Sequence, residues 1–180
     1  RRRPGVDADN VLCFPGTQTA LFATMMGLTG PGNGVLVGDP FYATYEGVIA
    51  ASGAHRESVV LRAENGFRLD ADDLEAAITP QSRVLLLNSP HNPTGAVLTA
   101  DEIASIGAVC QKHDLWIVAD EVYEELVFDG AFASPFDEPD LADRVIAVSS
   151  ISKSHAAPGF RSGWAVGSHE FCEKLLPLSE

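Results

Sequence analysis

The chain has 180 residues, 46% hydrophobic and 21% charged, and its 12 Lys and Arg against 25 Asp and Glu leave a formal charge of −13 with the five His neutral. Such a length buries a core that needs neither disulfides nor a structural metal. The acidic surplus argues against nucleic acid or an anionic membrane as partner, because both attract clustered Lys and Arg.

Arg1, Arg2 and Arg3 form a basic tip expected to be solvated. The apolar run 11–14 then predicts a strand, followed by a helix over Thr17–Leu28 and a turn at Gly30-Pro31-Gly32-Asn33-Gly34. With no Lys-Ser/Thr after it, a turn is favoured there over a phosphate loop. Next come a strand at 35–37, a helix at 42–52, a strand at 59–61, and a helix at 70–78 for which Asp70 can serve as N-cap. A strand at 84–87 precedes a helix at 99–113 that opens with the capping box Thr99-Ala100-Asp101-Glu102. Strands at 115–119 and 145–148 follow, and a last helix begins near Ser168. Strands without polar alternation are buried on both faces, and their alternation with helices predicts an α/β fold: a mostly parallel sheet with helices on both faces.

Cys13, Cys110 and Cys172 lie far apart and outside any Cys-x-x-Cys spacing, which argues against a zinc site or paired disulfides and makes a reducing, cytoplasmic compartment the default. No apolar run approaches the ~18 residues of a membrane span, so no membrane partner is expected.

Polar residues gather where strands end. Phe14 is followed by Pro15-Gly16-Thr17-Gln18, Val37 by Gly38-Asp39-Pro40-Phe41-Tyr42, and Leu87 by Asn88-Ser89-Pro90-His91-Asn92-Pro93-Thr94-Gly95. Ala119 leads into Asp120-Glu121-Val122-Tyr123 and Val148 into Ser149-Ser150-Ile151-Ser152-Lys153. Open α/β sheets bind ligands at the carboxyl edge, so these segments are expected to converge, although Gly, Pro, Asn and Asp also make ordinary turns there. The helix start at Gly16, Thr17 and Gln18 favours an anion, to which Ser150, Ser152 and Arg161 add two hydroxyls and a bidentate cation.

A partly desolvated Lys153 at the end of a buried strand suits amine nucleophilic chemistry. Asp120, at the end of another, needs a cationic partner such as a protonated pyridine nitrogen. Asn92 and Tyr123 can donate hydrogen bonds, and Tyr42 offers a flat ring. An anion cup, an electron-sink partner, two donors, a stacking face and a reactive amine are what pyridoxal 5'-phosphate requires.

These motifs, with Gly159-Phe160-Arg161-Ser162-Gly163, resemble in order and spacing the class I/II aminotransferases, fold-type I pyridoxal-phosphate enzymes, along nearly the whole chain. The resemblance implies the α/β/α large domain of that family over residues 1–180. It also implies that the amino-terminal segment and the smaller C-terminal domain, with its substrate-binding arginine, belong to a longer protein, a homodimer. Lys153 matches the Schiff-base lysine, which also moves the proton between Cα and C4′. Asp120 matches the pyridine-nitrogen partner, Asn92 and Tyr123 the donors to the phenolate oxygen, and Tyr42 the stacked ring. Thr17, Gln18, Ser150, Ser152 and Arg161 match the phosphate cup. The implied reaction moves an amino group between an amino acid and a 2-oxo acid, with an aspartate-type donor expected. A carbon–sulfur β-lyase, or the effector domain of a transcription regulator, would keep the same cofactor residues.

Other polar residues carry structural expectations. His91 is a loop residue and His155 a turn residue, while Glu121, Glu124 and Glu125 are solvated. His55, His113 and His169 lack partners at ligand spacing, which argues against a metal. Met25 and Met26, beside Phe22, pack in the core or against another subunit.

Overall fold

The structure, a computed structural model, describes residues 5–179; Arg1, Arg2 and Arg3 lie outside them. In chain order the elements are β1 (Val11–Phe14), α1 (Thr17–Leu28), β2 (Gly34–Asp39), α2 (Thr44–Ala51), β3 (His55–Val60), α3 (Ala71–Ala77) and β4 (Ser82–Asn88). Then follow α4 (Ala100–Lys112), β5 (Trp116–Asp120), β6 (Val145–Ser150), α5 (Ile151–Ser154), β7 (Gly163–Val166) and α6 (His169–Leu175). The strands make one sheet in the order β1-β7-β6-β5-β4-β2-β3. β2 to β6 pair in parallel, and β7 pairs antiparallel with both β6 and β1.

Successive side chains on a strand point to opposite faces. Val35 and Val37 of β2, with Val84 and Leu86 of β4, join Leu21, Met25, Tyr45 and Ile49 beneath α1 and α2. Leu36, Leu85 and Leu87 join Leu74, Ile103, Ile106 and Cys110 beneath α3 and α4. This is the expected three-layer α/β/α arrangement, and no helix among the described residues is long and apolar enough to cross a membrane. The helix ends follow the sequence: Asp70 accepts from the Asp72 and Asp73 amides at 2.9 and 3.4 Å. Thr99 and Glu102 form the capping box. The helix expected over 42–52 starts two residues later, at Thr44.

Two expectations change. Gly163–Val166 is an unpredicted strand, too short for its pattern to stand out, and it carries β1 on its far side. β1 is therefore not paired with a parallel neighbour, yet two antiparallel steps turn it to run in the direction of β6, so its carboxyl end shares their edge. The second change concerns burial: β1 and β3 are the sheet's edges, with Cys13 and Val60 exposed. Cys110, by contrast, is buried, and burial pushes its thiol up to about 12.

The register aligns Phe14 with Gly163 and Gly163 with Ser150. A Cβ on Gly163 would stand 2.5 Å from the Gly16 carbonyl carbon and 2.7 Å from the Thr17 amide nitrogen. Only a glycine lets the turn into α1 lie against β7, and this brings the start of α1 beside the end of β6.

Arg68 holds Glu102 with two bonds, Nε to Oε1 at 2.6 Å and Nη2 to Oε2 at 2.7 Å, and this pair above all lowers the Glu102 carboxyl from 4.5 to about 2. A depressed carboxylate stabilises the fold above its unfolded value and loses that contribution as pH falls through the folded one. Glu102→Gln keeps the cap but not the charge, so its stability deficit in urea unfolding is expected at neutral pH and to shrink between about pH 4.5 and 2. A deficit of constant size across that range would contradict the assignment.

Candidate active site

The segments after β1, β4, β5 and β6, with Tyr42 and Tyr45 from the segment after β2, line one cleft of about 290 Å³ at the carboxyl edge of the sheet. Thr17, Gln18, Tyr42, Asn92, Asp120, Tyr123, Ser150, Ser152, Lys153 and Arg161, each predicted from sequence, all face it. Gly16 lies directly behind: its φ is +98°, and a Cβ there would fall 2.2 Å from Arg161 Nη2. The backbone at Gly16 is thus the floor on which the guanidinium rests.

Asp120 ends β5, 4% exposed, and among the described residues no cationic side chain pairs with it. Burial raises its carboxyl above the ordinary value, while the Tyr45 hydroxyl, donating to Oδ2 at 2.7 Å, and the Val122 amide, donating to Oδ1 at 3.2 Å, pull it down. Tyr45 is itself fully buried, and burial first, then the neighbouring Asp120 carboxylate, push its phenol well above 10. A buried carboxylate held by neutral donors has room for a cation from the cleft.

Asn88, unassigned from sequence, joins two walls of the cleft. Its Nδ2 donates to the Asp120 carbonyl at 2.9 Å and to the Pro90 carbonyl at 3.1 Å, while its Oδ1 accepts from the Asn92 amide at 2.7 Å. The loop bearing Asn92 is thereby fixed to the strand end bearing Asp120, and the Asn92 Nδ2 lies 3.5 Å from the Tyr123 hydroxyl. Across the cleft, the Thr17 and Gln18 amides precede the first helical bond of α1, from the Ala20 amide to the Gly16 carbonyl. Thr17 Oγ1 is buried without a partner among the described residues. Arg161, in the left-handed region at φ +48°, donates from Nη1 to the Pro158 carbonyl at 3.1 Å, and no carboxylate among the described residues pairs with it. This end of the cleft offers free donors and positive charge; the Asp120 end offers buried negative charge.

Lys153 differs from its expectation. It sits past the strand, in the one-turn helix α5 capped by Ser150, and it is exposed. The desolvation expected at a buried strand end is absent, because Ser149 and Ser150 complete the strand before it. Glu121 departs in the other direction: it is 2% exposed and accepts from the Ser134 hydroxyl. Period-two alternation after a buried strand puts it under the loop instead of in solvent. Glu124 is half-buried, and Glu125 is exposed as expected.

His91 bonds Thr94 within its loop at 2.7 Å, and His155 ends α5, so both serve locally. His113 meets Glu75 at 2.7 Å and His169 meets Asp7 at 3.0 Å, but no group of three possible metal ligands occurs among the described residues. Met25 is core, whereas Met26 and Phe22 are exposed.

Tyr45 is the principal residue missed from sequence. It stands three positions after Tyr42, in a turn closed by the Tyr45 amide on the Tyr42 carbonyl at 3.0 Å, and the two rings meet edge to face with centroids 5.6 Å apart.

A model of aminotransferase class I and II matches residues 4–180. Arginine–pyruvate transaminase of Pseudomonas aeruginosa is 48% identical over 181 residues, covering 99% of this chain and 46% of that protein. Among solved structures, N-succinyldiaminopimelate aminotransferase from Mycobacterium tuberculosis is similar at 42% identity and a TM-score of 0.92, over 97% of this chain and 47% of that one. A double mutant of Thermus thermophilus aspartate aminotransferase matches at 30% identity and a TM-score of 0.93, over 97% and 45%. The chain spans about half the length of these relatives.

The site's two backbone constraints can be separated by alanine substitution. Gly16→Ala forces a side chain into φ +98° and onto Arg161, and is expected to cost about 1–3 kcal/mol in urea unfolding. Gly47→Ala, within α2 with nothing near the added methyl, is expected to stabilise by about 0.5–1 kcal/mol. Equal effects at the two positions would contradict the strained geometry at Gly16.

Proposed function

The chain belongs to the class I and II aminotransferases, and on that premise we propose that its cleft binds pyridoxal 5'-phosphate and that the whole protein exchanges amino groups between an amino acid and a 2-oxo acid. The opposed ends of the cleft carry this reading: among the described residues, a Thr17 hydroxyl without a partner beside an Arg161 guanidinium without a carboxylate, and a buried carboxylate without a cation at Asp120. The donor set fits the group, with anion-binding donors for a phosphate and a carboxylate for a ring nitrogen.

When bound, the cofactor supplies an aldehyde that condenses with amines and a ring that accepts the electrons released at the substrate Cα. The Thr17 and Gln18 amides at the start of α1, the Thr17, Ser150 and Ser152 hydroxyls and the Arg161 guanidinium hold its phosphate. Gly16 contributes by admitting Arg161 to that cup. Asp120 holds the proton of the ring nitrogen; the two opposite charges offset each other's cost of burial. Asn92 and Tyr123, 3.5 Å apart, donate to the ring's phenolate oxygen, and Tyr42 covers one ring face. Lys153 Nζ anchors the cofactor and then carries the proton at the substrate Cα. Its exposure to the cleft suits this task, since the same amine must be released to meet substrate.

The similar proteins are named for three different amino donors, arginine, N-succinyldiaminopimelate and aspartate. What their names share is amino-group transfer, with the expected aspartate-type donor one choice among three. Lys153 and Arg161 are the cations lining the described cleft, and both are engaged by the cofactor in this reading. Phe22 and Met26, exposed four residues apart on α1, offer an apolar surface for a subunit contact in a homodimer.

Borohydride treatment of the full-length protein with pyridoxal 5'-phosphate is expected to attach the cofactor covalently to Lys153, read as a mass gain that Lys153→Ala abolishes. Attachment at another lysine would sink the assignment. Asp120→Ala is expected to slow removal of the substrate Cα proton in single turnovers by roughly 100-fold, with a smaller effect on cofactor retention; an unchanged rate would refute its role.

A further inference from the structure

Asp120 is a buried carboxylate, and the strongest hydrogen bond it receives comes from a residue outside the motifs that assign the site. The Tyr45 hydroxyl donates to Oδ2 at 2.7 Å, shorter than the 3.2 Å bond from the Val122 amide to Oδ1. Tyr45 is 1% exposed and packs edge to face on Tyr42. One side chain, rooted in the first turn of α2, therefore touches both the carboxylate and the aromatic ring that line the cleft. A carboxylate oxygen has two acceptor directions, so one bond on each oxygen leaves the other directions for the cleft.

We propose that Tyr45 is a positioning residue which, through this hydrogen bond, keeps Asp120 ionised and oriented toward the ring nitrogen of the cofactor. The proposal rests on the reading of Asp120 as the nitrogen's partner. Burial favours the neutral carboxyl, and a hydrogen bond to the charged form opposes it. Without that bond a larger share of Asp120 is protonated, and a protonated carboxyl holds the ring-nitrogen proton weakly. The phenol is suited to the task because it stays protonated and so remains a donor: burial and the adjacent carboxylate both disfavour its ionisation. Other titratable groups lie around Asp120: Tyr42 before α2, Tyr123 after β5, Lys153 on α5 and Arg161 before β7 share the cleft. His91, from the loop after β4, lines the adjoining apolar chamber with Tyr45. All of them are unchanged in the test, so only the donor to Oδ2 varies.

The test uses the full-length protein in three forms: unsubstituted, Tyr45→Phe, and with 3-fluorotyrosine at position 45, a stronger donor of nearly the same shape. In the cofactor-free state, the Asp120 carboxyl is titrated by infrared difference spectroscopy with carboxyl-labelled aspartate, using Asp120→Asn to identify its band. The midpoint is expected to rise in Tyr45→Phe and to fall with fluorotyrosine. With ¹⁵N-labelled pyridoxal 5'-phosphate bound, the ring-nitrogen signal is expected to report less protonation in Tyr45→Phe, with Cα-proton removal slowed roughly tenfold. A midpoint that is the same in all three proteins would overturn the proposal, and so would a fall in Tyr45→Phe. If no form binds the cofactor, the function proposed above fails, while the carboxyl titration still decides the role of Tyr45.

Discussion

Asp120 is a carboxylate almost wholly removed from water at the end of a central parallel strand, and much of the site is arranged around holding it there. Left alone in such a place, a carboxylate takes up a proton, because desolvation penalises its charge more than the fold can tolerate. Two neutral donors, the Tyr45 hydroxyl and the Val122 amide, reduce that penalty without cancelling the charge. The remaining demand for a cation faces the cleft. Its neighbours are fixed in relation to it: Asn88 binds the Asp120 carbonyl and the Asn92 amide with one side chain, so a donor wall and an acid wall hold a constant spacing.

The opposite end of the cleft depends on steric exclusion rather than charge. β7, inserted antiparallel between β1 and β6, has glycine where its neighbours' ends meet it, and the turn of Gly16 and Thr17 lies within what would be van der Waals contact of a methyl group. Gly16 in turn leaves space for the Arg161 guanidinium. Two glycines, one at the turn into α1 and one on β7, thus allow a helix N-terminus, a serine-capped turn and an arginine to share a small volume. The result is a cleft with separated charge, donors at one end and a carboxylate at the other.

Sequence reasoning went furthest where a physical signal was local. Apolar runs marked five of the six predicted strands to within two residues at each end; the run at 59–61 caught only the last residues of β3, whose first four carry His55, Arg56, Glu57 and Ser58. Caps at Asp70 and Thr99 were visible because an N-cap and its partner lie within three residues. The residues that line the cleft were visible because they cluster at strand ends. What escaped was set by partners distant along the chain. Tyr45 acquires meaning only from Asp120, 75 positions on, and Asn88 only from Asp120 and Asn92 together. β7 escaped because four residues carry little periodicity. Glu121 looked like a surface charge until Ser134 and the loop above it enclosed it.

Apart from α5 and β7, the order of strands and helices, the caps and the set of polar residues at the carboxyl edge were therefore determined by the sequence itself, since propensity, periodicity and turn chemistry act over a few residues. Tertiary structure alone decided which strands neighbour one another, that Lys153 is open to the cleft instead of buried, and that Tyr45 and Asn88 hydrogen-bond to Asp120 and Asn92. The reason is physical: desolvation and hydrogen-bond satisfaction depend on everything within a few ångströms, and at this site the groups that supply them come from segments separated by tens of residues along the chain.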